Sequence, residues 1–226
     1  MKRNRSRDVL RRLVIVALFT ALAYVVMLMI HFPISFLTMD VKDAIITLCG
    51  LSFGPLSALF ISVVVPFLEL IGGSPTGLYG FAMNVLGSAT FSVTVSLIYK
   101  YKKSFLGAIV GLVSGVFALT AVMLLFNLIV TPRYLMVSVG EVAKLIPTLL
   151  LPFNLVKAVL NAAIVFFLYK PVSAMLQRSG FLPRSESKFR FDRRMLIVMG
   201  VALVLIVVSF AVIFGVLGGR FEFGIS

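Results

Sequence analysis

The sequence predicts an all-α integral membrane protein, and three observations carry that assignment. Of 226 residues, 61% are hydrophobic and only 13% charged, against about 45–50% apolar and about 25% charged in globular domains. The apolar residues fall in seven runs divided by charge, glycine or proline. Finally, 16 of the 21 Lys and Arg residues lie in segments that alternating spans place on one side. This composition excludes a soluble enzyme, a disordered chain and a small secreted scaffold. Cys49 is the only cysteine and His31 the only histidine. That leaves no intrachain disulfide, no thiol or His-rich metal cluster and no Ser-His-Asp triad.

The first apolar run, Leu13 to Ile30, follows a basic start containing Lys2, Arg3, Arg5, Arg7, Arg11 and Arg12. The triplet Ala21-Leu22-Ala23 resembles a signal cleavage site, but it sits mid-run, and 18 apolar residues exceed a signal core and suffice to span. The run is therefore a retained helix. Residues 31–40 form a rather apolar loop, and 41–53 a short helix stopped at Gly54-Pro55, since proline disfavours helix in the residue before it. A third span covers 55–71, and Gly72-Gly73-Ser74-Pro75-Thr76-Gly77 is a turn cluster. A fourth span, 78–99, ends at Lys100, Lys102 and Lys103. A fifth, 105–130, ends at Thr131-Pro132. After an amphipathic connection come a sixth span at 147–169 and a last apolar helix at 195–217.

With the amino terminus in the cytoplasm, cytoplasmic segments hold six cations before the first span, three at 100–103 and seven from Lys170 to Arg194. Lys42, Arg133, Lys144 and Arg220 fall outside, and Lys157 lies within a span. The asymmetry orients a multi-pass membrane chain and requires the short second helix to cross. It accounts for the net charge of +13 without nucleic acid as a partner; the lipid bilayer suffices. The domain plan is a basic cytoplasmic start (1–12), a membrane core (13–172), a basic cytoplasmic linker (173–194), an additional transmembrane helix (195–217) and a short external tail (218–226).

An ionisable group in a membrane helix costs about 2.5–3.5 kcal/mol on insertion scales, so Lys157 needs a reason. At about 100° per residue, Asn154, Lys157 and Asn161 form one stripe on the sixth span. It should face protein or a cavity, with a carboxylate such as Asp40 or Glu69 as a purely structural alternative partner. Asn127 near the end of the fifth span and Asn84 on the fourth are further polar candidates. Gly77, Gly80 and Gly87 suit close helix approach. Glu69 and His31 read as interfacial. Ala17 and Ala21 on the first helix form a small-xxx-small pair, suited either to internal packing or to a docking surface for another membrane protein. No catalytic residues, metal ligands, phosphate-binding loop or metalloprotease motif are recognisable. The chain reads as no enzyme, and active transport would draw on a partner or a gradient.

Several motifs, in order over residues 10–172, resemble the S components of energy-coupling factor (ECF) vitamin importers, most of all the riboflavin-specific RibU type. They are Phe36-Leu37-Thr38-Met39-Asp40, Gly54-Pro55, Gly73-Ser74-Pro75-Thr76-Gly77 with Asn84, Asn127 with Thr131-Pro132-Arg133-Tyr134, and Phe153-Asn154-Leu155-Val156-Lys157. Thr38 stands where relatives often carry lysine, and Ala158 where glycine is common. The resemblance implies a six-helix S-component core plus the extra C-terminal transmembrane helix. It implies riboflavin as the transported ligand, with no cofactor. Asn127, Asn154 and Lys157 would contact it, with Asp40, Thr38, Asn84, Leu37 and Phe36 as further candidates and Phe126 and Phe153 as ring covers. It also implies a transmembrane coupling protein docked through Ala17 and Ala21, with two cytoplasmic ATPases. An S component for another vitamin, or a membrane scaffold with no transport role, are the competing readings.

Overall fold

The computed structural model describes residues 5–182 and 193–218. Residues 1–4, most of the expected basic linker (183–192) and the expected tail from 219 onward lie outside the described residues. Helix α1 (Arg5–Met29) leads into two short strands, β1 (His31–Ile34) and β2 (Leu37–Asp40). The expected loop is thus an antiparallel hairpin, pairing Phe32 with Met39 and Ile34 with Leu37. Its apolar residues recur with period two, so Phe32, Ile34, Leu37 and Met39 share one face. Pro33 holds its predecessor in the extended region, and Ser35 turns the chain at φ 57°.

Helices α2 (Lys42–Phe53) and α3 (Pro55–Ile71) meet at the expected Gly54-Pro55 corner. Gly54 has φ 96°, open to glycine, and Pro55 starts α3 where its missing N–H costs nothing. Helix α4 spans Gly77–Tyr101. Helix α5 (Phe105–Leu135) begins at the Ser104 cap and runs through Thr131-Pro132, where the sequence suggested an end. A proline this close to the terminus forfeits one hydrogen bond, and the helix stops instead at Met136, in a left-handed conformation. The connection is α6 (Val139–Leu145), opened by a Ser138–Glu141 capping box, and a π turn at Ile146–Leu150 that absorbs Pro147. Helix α7 (Leu151–Arg178) continues nine residues beyond the expected 169, past Pro171 and into the segment read as linker. Helix α8 (Arg193–Gly215) follows the linker.

Four described segments are long and apolar enough to cross a membrane: Val9–Met29, Gly77–Tyr101, Phe105–Leu135 and the continuous Val139–Arg178. Helix α3 and Gly200–Gly215 of α8 are apolar but shorter. Helix α2 is the axis of the bundle. Every residue from Lys42 to Leu51 is buried, with α1, α3, α4 and α7 around it. Gly50 permits this closeness: a Cβ there would stand 2.1 Å from Ser96 Oγ and 2.8 Å from Ala58 Cβ. Gly50→Val is therefore expected to destabilise the fold by about 1–3 kcal/mol, read as a lower thermal midpoint in detergent; an unchanged midpoint would refute the contact. Gly87 on α4 lets Met123 of α5 approach, its Cβ position being 3.3 Å from Met123 Sδ.

At one end of the bundle Arg12 Nη2 donates to Phe53 O (2.7 Å) and Ser57 Oγ (3.0 Å), tying α1 to the α2–α3 corner. The end of α4 with Lys100, the 102–103 turn and the end of α7 with Arg178 share that end. On α1, Ala23 is buried in the core, whereas Ala17 and Ala21 are exposed. Internal packing therefore does not explain the Ala17/Ala21 pair among the described residues.

Candidate functional site

At the end opposite Arg12, the hairpin, the starts of α2, α4 and α7 and the ends of α3 and α5 surround an open cavity. The empty space there is about 880 Å³, open solvent at the mouth included. The hairpin supplies Phe36, Leu37 and Thr38 as one wall, and α7 supplies Phe153, Asn154 and Lys157. Asn127 and Thr131 of α5, Asn84 and Ser88 of α4, Glu69 of α3 and Asp43 of α2 complete the polar lining, with Met83, Met123, Tyr79 and Tyr134 as apolar cover. The two tyrosine rings pack together, centroids 5.9 Å apart.

The helix spacing brings the amides and the ammonium to one surface with hydrogen-bonding capacity left over. Asn127 Nδ2 donates to Met123 O (2.7 Å), and its Oδ1 accepts from Thr131 Oγ1 (2.8 Å). Asn154 Nδ2 donates to Leu150 O (2.7 Å). An asparagine amide has two N–H donors and a carbonyl acceptor. Asn127 thus keeps one donor, while Asn154 keeps a donor and its oxygen. Lys157 Nζ donates to Asp40 Oδ2 (3.0 Å) and Thr38 O (3.4 Å), and its third proton remains for a ligand.

Behind this surface lies a buried charge cluster that sequence reasoning saw only in part. Asp40 Oδ2 accepts from both Lys157 and Lys42, the latter at 2.6 Å. Lys42 is fully buried; it also reaches Asn84 Oδ1 (3.4 Å) and lies 4.0 Å from Glu69 Oε2. Asn84 Nδ2 donates to Glu69 Oε2 (2.9 Å), so the amide bridges ammonium and carboxylate. Asp43 accepts from Ser88 Oγ. Burial alone would push the Asp40 carboxyl up, but the Lys157 and Lys42 ammoniums beside it prevail and hold it well below the usual carboxylate range. Asn161 closes the support: it donates to Asp40 O (3.1 Å) and accepts from Ala44 N (2.8 Å), joining α7, the hairpin and α2.

Of the residues singled out in the sequence, Asn127, Asn154, Lys157, Thr38, Asn84, Leu37 and Phe36 line the cavity together, as does Phe153. Asp40 does not line it but anchors its floor, and Phe126 lies away from it. The stripe divides: Asn154 and Lys157 face the cavity, whereas Asn161 is structural. Glu69 is not simply solvated: it faces the cavity with Asn84 bound to it. The two readings of Lys157, structural ion pair and cavity group, hold at once. From sequence, Lys42 counts only as an outer-side cation, and neither Asp43 nor Ser88 is placed at the site. The available signal was a charged pair opening a helix whose following residues, Ala44 to Leu51, are mostly apolar.

Among the described residues no cluster of His, Cys, Asp and Glu could hold a metal ion. Residues 11–169 match the model of the family described as ECF transporter, substrate-specific component. The chain is 29% identical over 180 residues to the riboflavin transporter RibU of Staphylococcus aureus (strain TCH60), covering 74% of this chain and 93% of that protein. It is 25% identical over 177 residues to the riboflavin transporter FmnP of Bacillus subtilis (strain 168), covering 71% and 93%. Among solved structures it resembles the S component of a bacterial ECF transporter, with a TM-score of 0.63 and 29% identity over 74% of this chain and 98% of the other. The family match ends at residue 169, before α8.

Proposed function

The chain belongs to the substrate-specific components of ECF transporters, and from that premise we propose that it captures riboflavin for an ATP-driven importer. The role is that of a membrane-embedded binding subunit and not of an enzyme. One observation carries the choice of ligand beyond the relatives' names: Asn127, Asn154 and Lys157 turn their spare donors and one spare acceptor into a single, otherwise largely apolar cavity. A flavin has a flat apolar ring system, and its pyrimidine-like edge presents acceptor, donor and acceptor in a row. Spare amide N–H groups and the ammonium serve the acceptors, and Asn154 Oδ1 serves the ring N–H. Phe36, Leu37, Phe153 and Met123 supply apolar cover for the ring faces.

The cation pattern supports an orientation with the amino terminus in the cytoplasm. The Arg12 end then faces inward and the cavity outward, where vitamin is captured. The exposed Ala17/Ala21 strip on α1 suits close approach of a transmembrane coupling protein, and that protein with two cytoplasmic ATPases would supply the energy. The direct test is titration of the purified protein with riboflavin, followed by flavin fluorescence. Saturable binding at one ligand per chain, resisted by thiamine, pantothenate and biotin, is expected. Absence of binding at micromolar riboflavin would reject the assignment, and displacement by another vitamin would move the specificity.

A further inference from the structure

Helix α8 lies beyond the residues of the family match; it packs chiefly along α7 and, through Phe210 and Phe214, also touches the hairpin that walls the cavity. Phe210, Ile213 and Phe214 are spaced i, i+3, i+4 and so share one helix face. The Phe32 ring is set edge-on to both phenylalanines, with centroids 5.8 Å from Phe210 at 85° and 5.4 Å from Phe214 at 88°. The two α8 rings stack on each other at 6.2 Å. Phe32 and Ile213 have no exposed surface, and they form one apolar cluster with Ile34, Met39, Phe153 and Leu160.

A hairpin of two four-residue strands is at best marginal by itself. Here its two sides are held differently. Lys157 and Asn161 grip its polar groups from α7, while the apolar face around Phe32 is covered in part by α8. Phe32 and the cavity residues Phe36, Leu37 and Thr38 belong to the same hairpin, so whatever fixes Phe32 fixes the wall.

We propose that Phe210, Ile213 and Phe214 of α8 are positioning residues for ligand capture: by clasping Phe32 they hold the hairpin against the cavity and prolong the stay of the bound ligand. The proposal rests on the transport reading for its ligand but not for its contact. Ligand retention then shows chiefly in the dissociation rate, where most affinity differences between closely related complexes lie.

The test uses the full chain carrying Phe210→Ala and Phe214→Ala, the paired variant Phe210→Leu and Phe214→Leu, and a control, Val204→Ala with Val208→Ala, on exposed positions of the same helix. In the ligand-free protein, amide hydrogen exchange over residues 31–40 is expected to accelerate in the alanine pair and in neither of the others. Riboflavin release, read by chase with fluorescence detection, should quicken about tenfold in the alanine pair, the scale of one lost aromatic contact pair. The leucine pair should restore most of the wild-type rate. Unchanged exchange at the hairpin overturns the proposal, as does a release rate within twofold of wild type in a variant that binds riboflavin. Should the alanine pair fail to fold, the single variant Phe210→Ala decides: faster exchange over residues 31–40 than in wild type supports the clasp, and wild-type exchange there refutes it. A wild-type protein that binds no riboflavin overturns the transport reading, while the exchange measurement still judges the contact.

Discussion

Replacing Asp40 with alanine is expected to lower stability by about 3–5 kcal/mol, the usual cost of stripping the partner from a buried ion. The carboxylate neutralises two ammoniums at once, Lys42 at 2.6 Å and Lys157 at 3.0 Å. Lys42 has no exposed surface, so its charge cannot escape to water. It would be left with Asn84 and a carboxylate 4.0 Å away. Asp40→Asn keeps the shape and one acceptor but removes the charge, and should fall between wild type and alanine. Thermal unfolding in detergent, followed by loss of the monodisperse species, measures both; a shift of the alanine variant no larger than that of a surface control would refute the role.

The same group fixes a pH dependence. Because the folded state holds the Asp40 carboxyl below its ordinary value, its contribution is fully present above the unfolded value of about 3.9. It is lost as pH falls through the depressed folded value. The wild-type protein should therefore lose stability on acidification below about pH 4 more steeply than Asp40→Asn, from which this linkage is gone.

The second large effect concerns the ligand. Lys157→Ala is expected to weaken riboflavin binding by about 1–3 kcal/mol, the cost of an unmade bond to a buried polar group, or roughly 5–150-fold in Kd. Its effect on folding should be smaller than that of Asp40→Ala, since Asp40 retains Lys42 as counter-ion. Circular dichroism and thermal unfolding separate the two consequences, and Lys157→Met, which keeps the aliphatic stem, should recover stability in preference to affinity. Unchanged affinity in a folded Lys157→Ala protein would remove the ammonium from the site.

Lys157 and Asn154 were legible in the sequence because polar groups at helical spacing inside an apolar run break the pattern that lipid imposes. Lys42 and Asp43 were not, because they open a helix next to a loop, where a charge is normally solvated. Their burial comes from α4 and α7, whose contacts lie far along the chain: Ser88 meets Asp43 45 residues on, and Lys157 meets Asp40 117 residues on. The hairpin was missed for a related reason. Its strands are four residues each with Pro33 inside one, a weak local signal, and what stabilises it is packing and hydrogen bonding from α7 together with packing from α8. Thr131-Pro132 was read as a stop and the sixth span as ending at 169, yet both helices run on, through Pro132 and Pro171, because packing outweighs one forfeited bond. Gly54-Pro55, which needs only backbone geometry, was read correctly.

The enclosure of α2 has a consequence for how the protein meets membranes of different thickness. Twelve residues give a rod of about 18 Å, well short of the roughly 30 Å of hydrocarbon in a bilayer. Such a shortfall would be a serious hydrophobic mismatch for a lipid-facing segment, but α2 answers to protein on all sides. Thinner or thicker bilayers are therefore accommodated by tilt of the peripheral helices, while the central rod and the charges at its head keep their depth relative to one another.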